Sequence, residues 1–128
     1  MNDNKKILIV DDEVDFSRML SFNLQEMGPY QVRTENNPIN ALSAALQLMP
    51  DLIFLYVVMP AMEGADVYYQ LRMNHFTRHI PIIFLTATVT PEEVCAQNGK
   101  IGGRLFLAKP GEVWEVIECI ESNLATHR

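Results

Sequence analysis

Residues 52–58 read LIFLYVV, seven apolar or aromatic side chains without a break, entered through Pro50 and Asp51 and left through a Met-Pro turn and Gly64. A run this short, rich in branched and aromatic residues and bounded by proline, predicts a strand buried on both faces, as in the middle of a parallel sheet. Open α/β sheets place their chemistry at the C-terminal ends of such strands. The residue at that end is Tyr56.

A strand with two buried faces needs strands beside it and helices over it, and the rest of the chain supplies both. Residues 5–10 (KKILIV) form a second apolar run, stopped by Asp11-Asp12-Glu13. An i, i+3, i+4 stripe of Phe16, Met19, Leu20, Leu24 and Met27 predicts a helix over 14–27, with Asp12 available to cap it and Gly28-Pro29 to end it. The short alternating segment 30–34 (YQVRT) predicts a strand near the sheet edge. Asn36-Asn37-Pro38 opens a helix over about 39–48, with Pro38 in its first turn and Ala41, Leu42, Ala45 and Leu46 inward. After the central strand, placed at 51–56, comes a third helix over 65–73, then a buried strand over 80–85 with Pro81 at its entry. Pro91-Glu92-Glu93 starts a short fourth helix, and residues 98–103 (NGKIGG), which lack a phosphate-loop pattern, predict a flexible connection. A last strand over 104–108 leads through Lys109-Pro110-Gly111 into a helix over 112–124, whose inner stripe is Val113, Val116, Ile117, Ile120 and Leu124.

Five strands alternating with five helices predict a doubly wound, five-stranded parallel α/β sheet of order 2-1-3-4-5, flavodoxin-like in topology. That order brings Asp11, Asp12, Tyr56, Thr86 and Lys109 to one edge. At 128 residues the chain is one domain over 1–128. A net charge of -6, with Lys and Arg scattered, argues against a nucleic-acid surface. The N-terminus is too poor in apolar residues for a signal-peptide core or a membrane span, so a cytoplasmic protein is expected. Cys95 and Cys119 have no metal-site or CxxC spacing and fit as small apolar helix residues.

Four segments, LIVDDE, PDLIFLYVVMPAMEG, FLTAT and FLAKP, in this order resemble the response-regulator receiver domain of two-component signalling from about Lys5 to Leu124. The resemblance implies a (βα)5 fold and a non-enzymatic module in a phosphorelay, partnered by a histidine kinase or a downstream signalling protein. It implies a magnesium site from Asp11, Asp12 and the Val58 carbonyl, a phosphate-sensing hydroxyl at Thr86, a switch aromatic at Phe106 and a cation at Lys109. Where the family carries an aspartate that accepts the phosphoryl group, this chain carries Tyr56.

That difference changes the chemistry. A carboxylate is ionised at pH 7 and can both ligate a hard cation and attack phosphorus, whereas a phenol at that pH is almost wholly protonated. Its ring also reaches further than an aspartate, toward the space for metal and phosphoryl oxygens. The expectation is that Tyr56 plugs the site, with its hydroxyl either donated to Asp11 or Asp12 or left in water. Asp11, Asp12 and Lys109 then leave a local charge near -1 in place of -2, so magnesium binding is weak at most and no other cofactor is implied. The leading function is an atypical receiver acting by protein-protein interaction. Alternatives are a receiver using Asp11 or Asp12 as substitute acceptor, and a small flavin or nucleotide carrier. Taken alone, Asp11-Asp12-Glu13 is an ordinary acidic helix start, and only its company reverses that. His75 and His79 lack further ligands for a metal. Trp114, one step off the last inner stripe, is an interface candidate beside Phe106.

Overall fold

A computed structural model describes residues 4–56, 64–86, 100–101, 104–108 and 113–126. The elements are β1 (Lys5–Val10), α1 (Val14–Met27), β2 (Tyr30–Glu35), a 3₁₀ turn (Pro38–Asn40) running into α2 (Ala41–Leu48), β3 (Leu52–Tyr56), α3 (Gly64–Met73), β4 (Ile82–Thr86), β5 (Lys100–Ile101), β6 (Arg104–Ala108) and α4 (Val113–Thr126). The expected fourth helix at Pro91 and the turns at Met59-Pro60 and Lys109-Pro110 lie outside the described residues.

The sheet runs β2-β1-β3-β4-β6-β5. β1 to β4 take the expected order, all pairs among them parallel, and β6 extends the sheet in parallel beside β4. β5 was not expected: Lys100 pairs with Leu105 and Ile101 with Arg104, antiparallel, making a two-residue sixth strand where the sequence suggested a loose connection. In the sequence two residues, Gly102 and Gly103, separate these segments and lie outside the described residues.

Alternation along each strand divides the core into two layers. Leu8, Val10, Ile53, Leu55, Ile82 and Phe84 face one side, where Ala41, Ala44, Ala45, Val67 and Leu71 of α2 and α3 cover them. Ile7, Ile9, Leu52, Phe54, Ile83 and Leu85 face the other, under Leu20 and Leu24 of α1 and Val116 and Ile120 of α4. Helices on both faces explain why β3 is apolar at every position and does not alternate.

Several expected details are corrected. Asp12 does not cap α1: Glu13 is the cap residue and makes no side-chain cap bond. The buried face of α1 is Ser17, Leu20 and Leu24, with Met19 and Met27 largely in solvent. In α2, Ala44 takes the inward place expected of Leu46, which is exposed, and Leu42 is only partly buried. β4 starts two residues later than expected: the Ile80 N–H donates back to the Thr77 carbonyl at 3.0 Å, which keeps Ile80 in the preceding turn, and Pro81 has no N–H to give the ladder. Gly28 ends α1 as expected, and a Cβ there would stand 2.6 Å from the Tyr30 ring. Among the described residues, no helix is long and apolar enough to cross a membrane.

Candidate functional site

Strand register decides which side chains meet. Val10 is level with Leu55, Tyr56 with Leu85 and Thr86 with Ala108, so the C-terminal ends of β1, β3, β4 and β6 finish along one edge. Asp11, Tyr56 and Thr86 stand at that edge. Asp11 and Thr86 are buried and Tyr56 is half-buried, its ring packed against both apolar layers. Val58 and Lys109 lie outside the described residues. Phe106 is placed by its backbone alone, level with Phe84 in the β4–β6 ladder.

The acidic turn after β1 is held from three directions. The Asp11 N–H donates to the Glu35 carbonyl at 3.1 Å, extending the contact between β1 and β2. The Asp11 Oδ1 accepts the Glu13 N–H at 2.9 Å, so it is Asp11 that satisfies a backbone donor at the start of α1. The Asn36 amide then donates twice, to the Asp11 carbonyl at 2.7 Å and to the Ser17 hydroxyl at 2.9 Å. Ser17 in turn donates to the Val14 carbonyl at 3.0 Å. Asn36 therefore ties the end of β1 to the first turn of α1, and this accounts for a serine on the buried face of that helix.

Sequence reasoning missed both residues. Asn36 reads as part of a helix opening, and only Asn37 does that work, its Oδ1 accepting the Ile39 N–H at 3.1 Å. The available signal was a polar Ser17 inside an apolar stripe, which required a partner.

Asp12 differs from Asp11. Its Oδ1 is buried and has no hydrogen-bond partner, so the Tyr56 hydroxyl does not reach that oxygen. A carboxylate oxygen withdrawn from water and left unpaired is costly, and a hard cation is one thing that would satisfy it. Among the described residues no three His, Cys, Asp or Glu side chains gather as a metal site.

Trp114 is 60% exposed at the start of α4. His75 and His79 lie in the exposed turn after α3 and, among the described residues, belong to no metal-ligating group. Burial pushes the Cys119 thiol up to about 11, with the Asn123 amide 3.7 Å from its sulfur opposing the shift weakly. Such a thiol is inert packing, not a nucleophile.

The family model for the response regulator receiver domain matches residues 7–121. The chain is 43% identical over 114 residues to the alkaline phosphatase synthesis transcriptional regulatory protein PhoP of Bacillus subtilis, which spans 88% of this chain and 45% of that protein. It is 34% identical over 119 residues to the DNA-binding dual master transcriptional regulator RpaA of Synechocystis, spanning 93% of this chain and 48% of that one. It is also similar in structure to the Vibrio cholerae chemotaxis protein CheY4, with a TM-score of 0.78 and 32% identity, covering 93% of this chain and 98% of that chain. The chain thus spans about half the length of these two regulators, but nearly all of the chemotaxis protein.

Proposed function

Because the chain belongs to the response regulator receiver domain family, we propose that it serves two-component signalling as an atypical receiver, a protein-binding module that aspartyl phosphorylation does not switch. The observation that carries this reading is Tyr56 at the end of β3, level with Leu85 and packed against both layers of the core. A phenol there supplies neither an ionised metal ligand nor an attacking carboxylate. Thr86 and Phe106 lose the acyl phosphate that would draw them inward, so their arrangement is set by whichever partner binds.

Asp11 and Asp12, with the Val58 carbonyl, would hold magnesium, which supplies charge neutralisation for an incoming phosphoryl group when bound. Binding is weak, since Tyr56 stands where a third ionised carboxylate would complete the ligand set. The partner is a protein, either a histidine kinase or a downstream signalling protein. The acidic charge of the chain favours a reading in which any DNA contact is made by a different segment or a different protein.

A second reading, phosphotransfer to an acidic side chain of the β1–α1 turn, has the unpaired Oδ1 of Asp12 in its favour. Intact-mass analysis after incubation with acetyl phosphate and magnesium separates the two. The wild-type chain is expected to gain no phosphoryl group, and Tyr56→Asp to gain one that magnesium chelation prevents. A wild-type adduct that Asp12→Asn abolishes establishes the second reading. A folded Tyr56→Asp that stays unmodified removes the idea of an otherwise intact site.

A further inference from the structure

We propose that the exposed turn closing α3 is a docking surface for an acidic amphipathic segment of a partner protein, at the opposite end of α3 from the Tyr56 edge. Its first observation is charge. Residues 67–91 contain no acidic residue, while all 16 Asp and Glu of the chain lie elsewhere. Arg72, His75, Arg78 and His79 all fall inside this window, within eight positions.

The second observation is what they surround. Tyr69, Met73 and Phe76 are 59, 83 and 62% exposed. The first two lie at i and i+4 on α3, hence on one face. Backbone bonds from Asn74 N to Leu71 O, Thr77 N to Asn74 O and Arg78 N to Asn74 O keep the chain winding past Met73, and Phe76 stands exposed three residues further on in that turn. Three large apolar groups in a row, open to water and rimmed by His75 and Arg78, both exposed, form a patch of the kind that marks interaction sites.

The third observation is rigidity. The Asn74 Oδ1 accepts the Phe76 N–H at 2.9 Å. The buried Thr77 hydroxyl donates to the Leu71 carbonyl at 2.6 Å. Arg72 stacks over Tyr68 at 5.0 Å and donates to the Arg78 and Ile80 carbonyls at 2.9 and 2.8 Å. The His75 ring stands edge-on to Phe76 at 5.4 Å. A turn fastened at this many points presents its aromatic side chain with little ordering left to lose on binding.

Charge selects that occupant. A second copy carries the same net charge of -6 and is repelled at long range. A lipid surface is recognised by clusters of four or more Lys and Arg, and this window has two arginines and no lysine. A helix with Asp and Glu flanking Leu and Trp complements both the rim and the apolar row.

The test is a titration of the ¹⁵N-labelled chain, followed by amide shifts, with a synthetic helical peptide of that pattern and with a twin in which Lys replaces each acid. The expected result is saturable shifts on residues 69–79 with the acidic peptide alone. Phe76→Ser should weaken binding roughly tenfold or more, as loss of an aromatic anchor does, and Arg78→Glu by a smaller factor that added salt reproduces. Tyr56→Asp should bind equally well, so this result stands apart from the fate of the site at the other end of α3. Absence of shifts in this turn, or equal binding of the lysine twin, overturns the proposal. So does either sedimentation onto anionic vesicles or self-association in the ultracentrifuge, if Phe76→Ser abolishes it while the peptide fails to bind.

Discussion

Asn36 shows how much of the site depends on one amide. Its two donated bonds fix the Asp11 carbonyl and the Ser17 hydroxyl together, and with them the turn that presents Asp12. Replacing it with alanine leaves the part-buried Asp11 carbonyl without that donor, a loss of about 1–3 kcal/mol by the usual cost of orphaning a buried polar group. Asn36→Ala is therefore expected to lower the urea midpoint with the slope unchanged. In the Tyr56→Asp background it should also raise the magnesium concentration needed for phosphorylation, because the acidic turn is no longer pinned. A loss of stability with no change in that concentration would confine Asn36 to a structural role. Tyr56 itself was legible from position, since it ends the one strand that is apolar throughout. Asn36 was not, because its partners lie 25 and 19 residues away and no local pattern announces them.

The elements were legible where periodicity is strong and less so where it is mixed. β3 and β1 were found from unbroken apolar runs, and α4 from a stripe whose Val116 and Ile120 are buried. In α1 the stripe was drawn too wide, because Met19 and Met27 are large and apolar yet face out, at 48 and 60% exposure. Hydrophobicity alone does not tell a core face from an exposed apolar one. α2 stops at Met49, which takes φ 49°, ψ 64° with its N–H on the Ala45 carbonyl at 2.7 Å. No glycine marks that left-handed residue, and only the following Pro50 signals the end. The corrected face of α1 can be tested by substitution. Leu24→Ala, at a fully buried position, should cost about 2–5 kcal/mol in chemical denaturation. Met19→Ala should stay within about 0.5 kcal/mol. Comparable losses from both would restore the wider stripe.

At the scale of the whole molecule, sheet order followed from the alternation of elements, and the edge that gathers Asp11, Tyr56 and Thr86 followed from the order. Parallel pairing leaves the C-terminal ends of β1, β3 and β4 no other place to meet. The β5–β6 hairpin was hidden because a two-residue strand has no period to detect. Global stability should carry the mark of groups that this packing keeps neutral. The Cys119 thiol, on α4, is raised from 9.0 to about 11, first by burial against the core layer below the helix and further by Glu118. Tyr30 is raised as well, by burial and then by Glu121. For both groups the unfolded chain releases its proton at a lower pH than the folded one. Stability is thus complete below the unfolded value and falls as pH climbs toward the folded value, since the unfolded state then binds fewer protons. For Cys119 two decades of pH correspond to about 2–3 kcal/mol. Urea melts between pH 8 and 10.5 should show this alkaline decline, and Cys119→Ala should remove the larger part of it while leaving the share due to Tyr30. An identical decline in the variant would mean that the thiol ionises as readily in the folded chain as in the unfolded one, and that α4 packs less closely against α1 and the sheet than this arrangement requires.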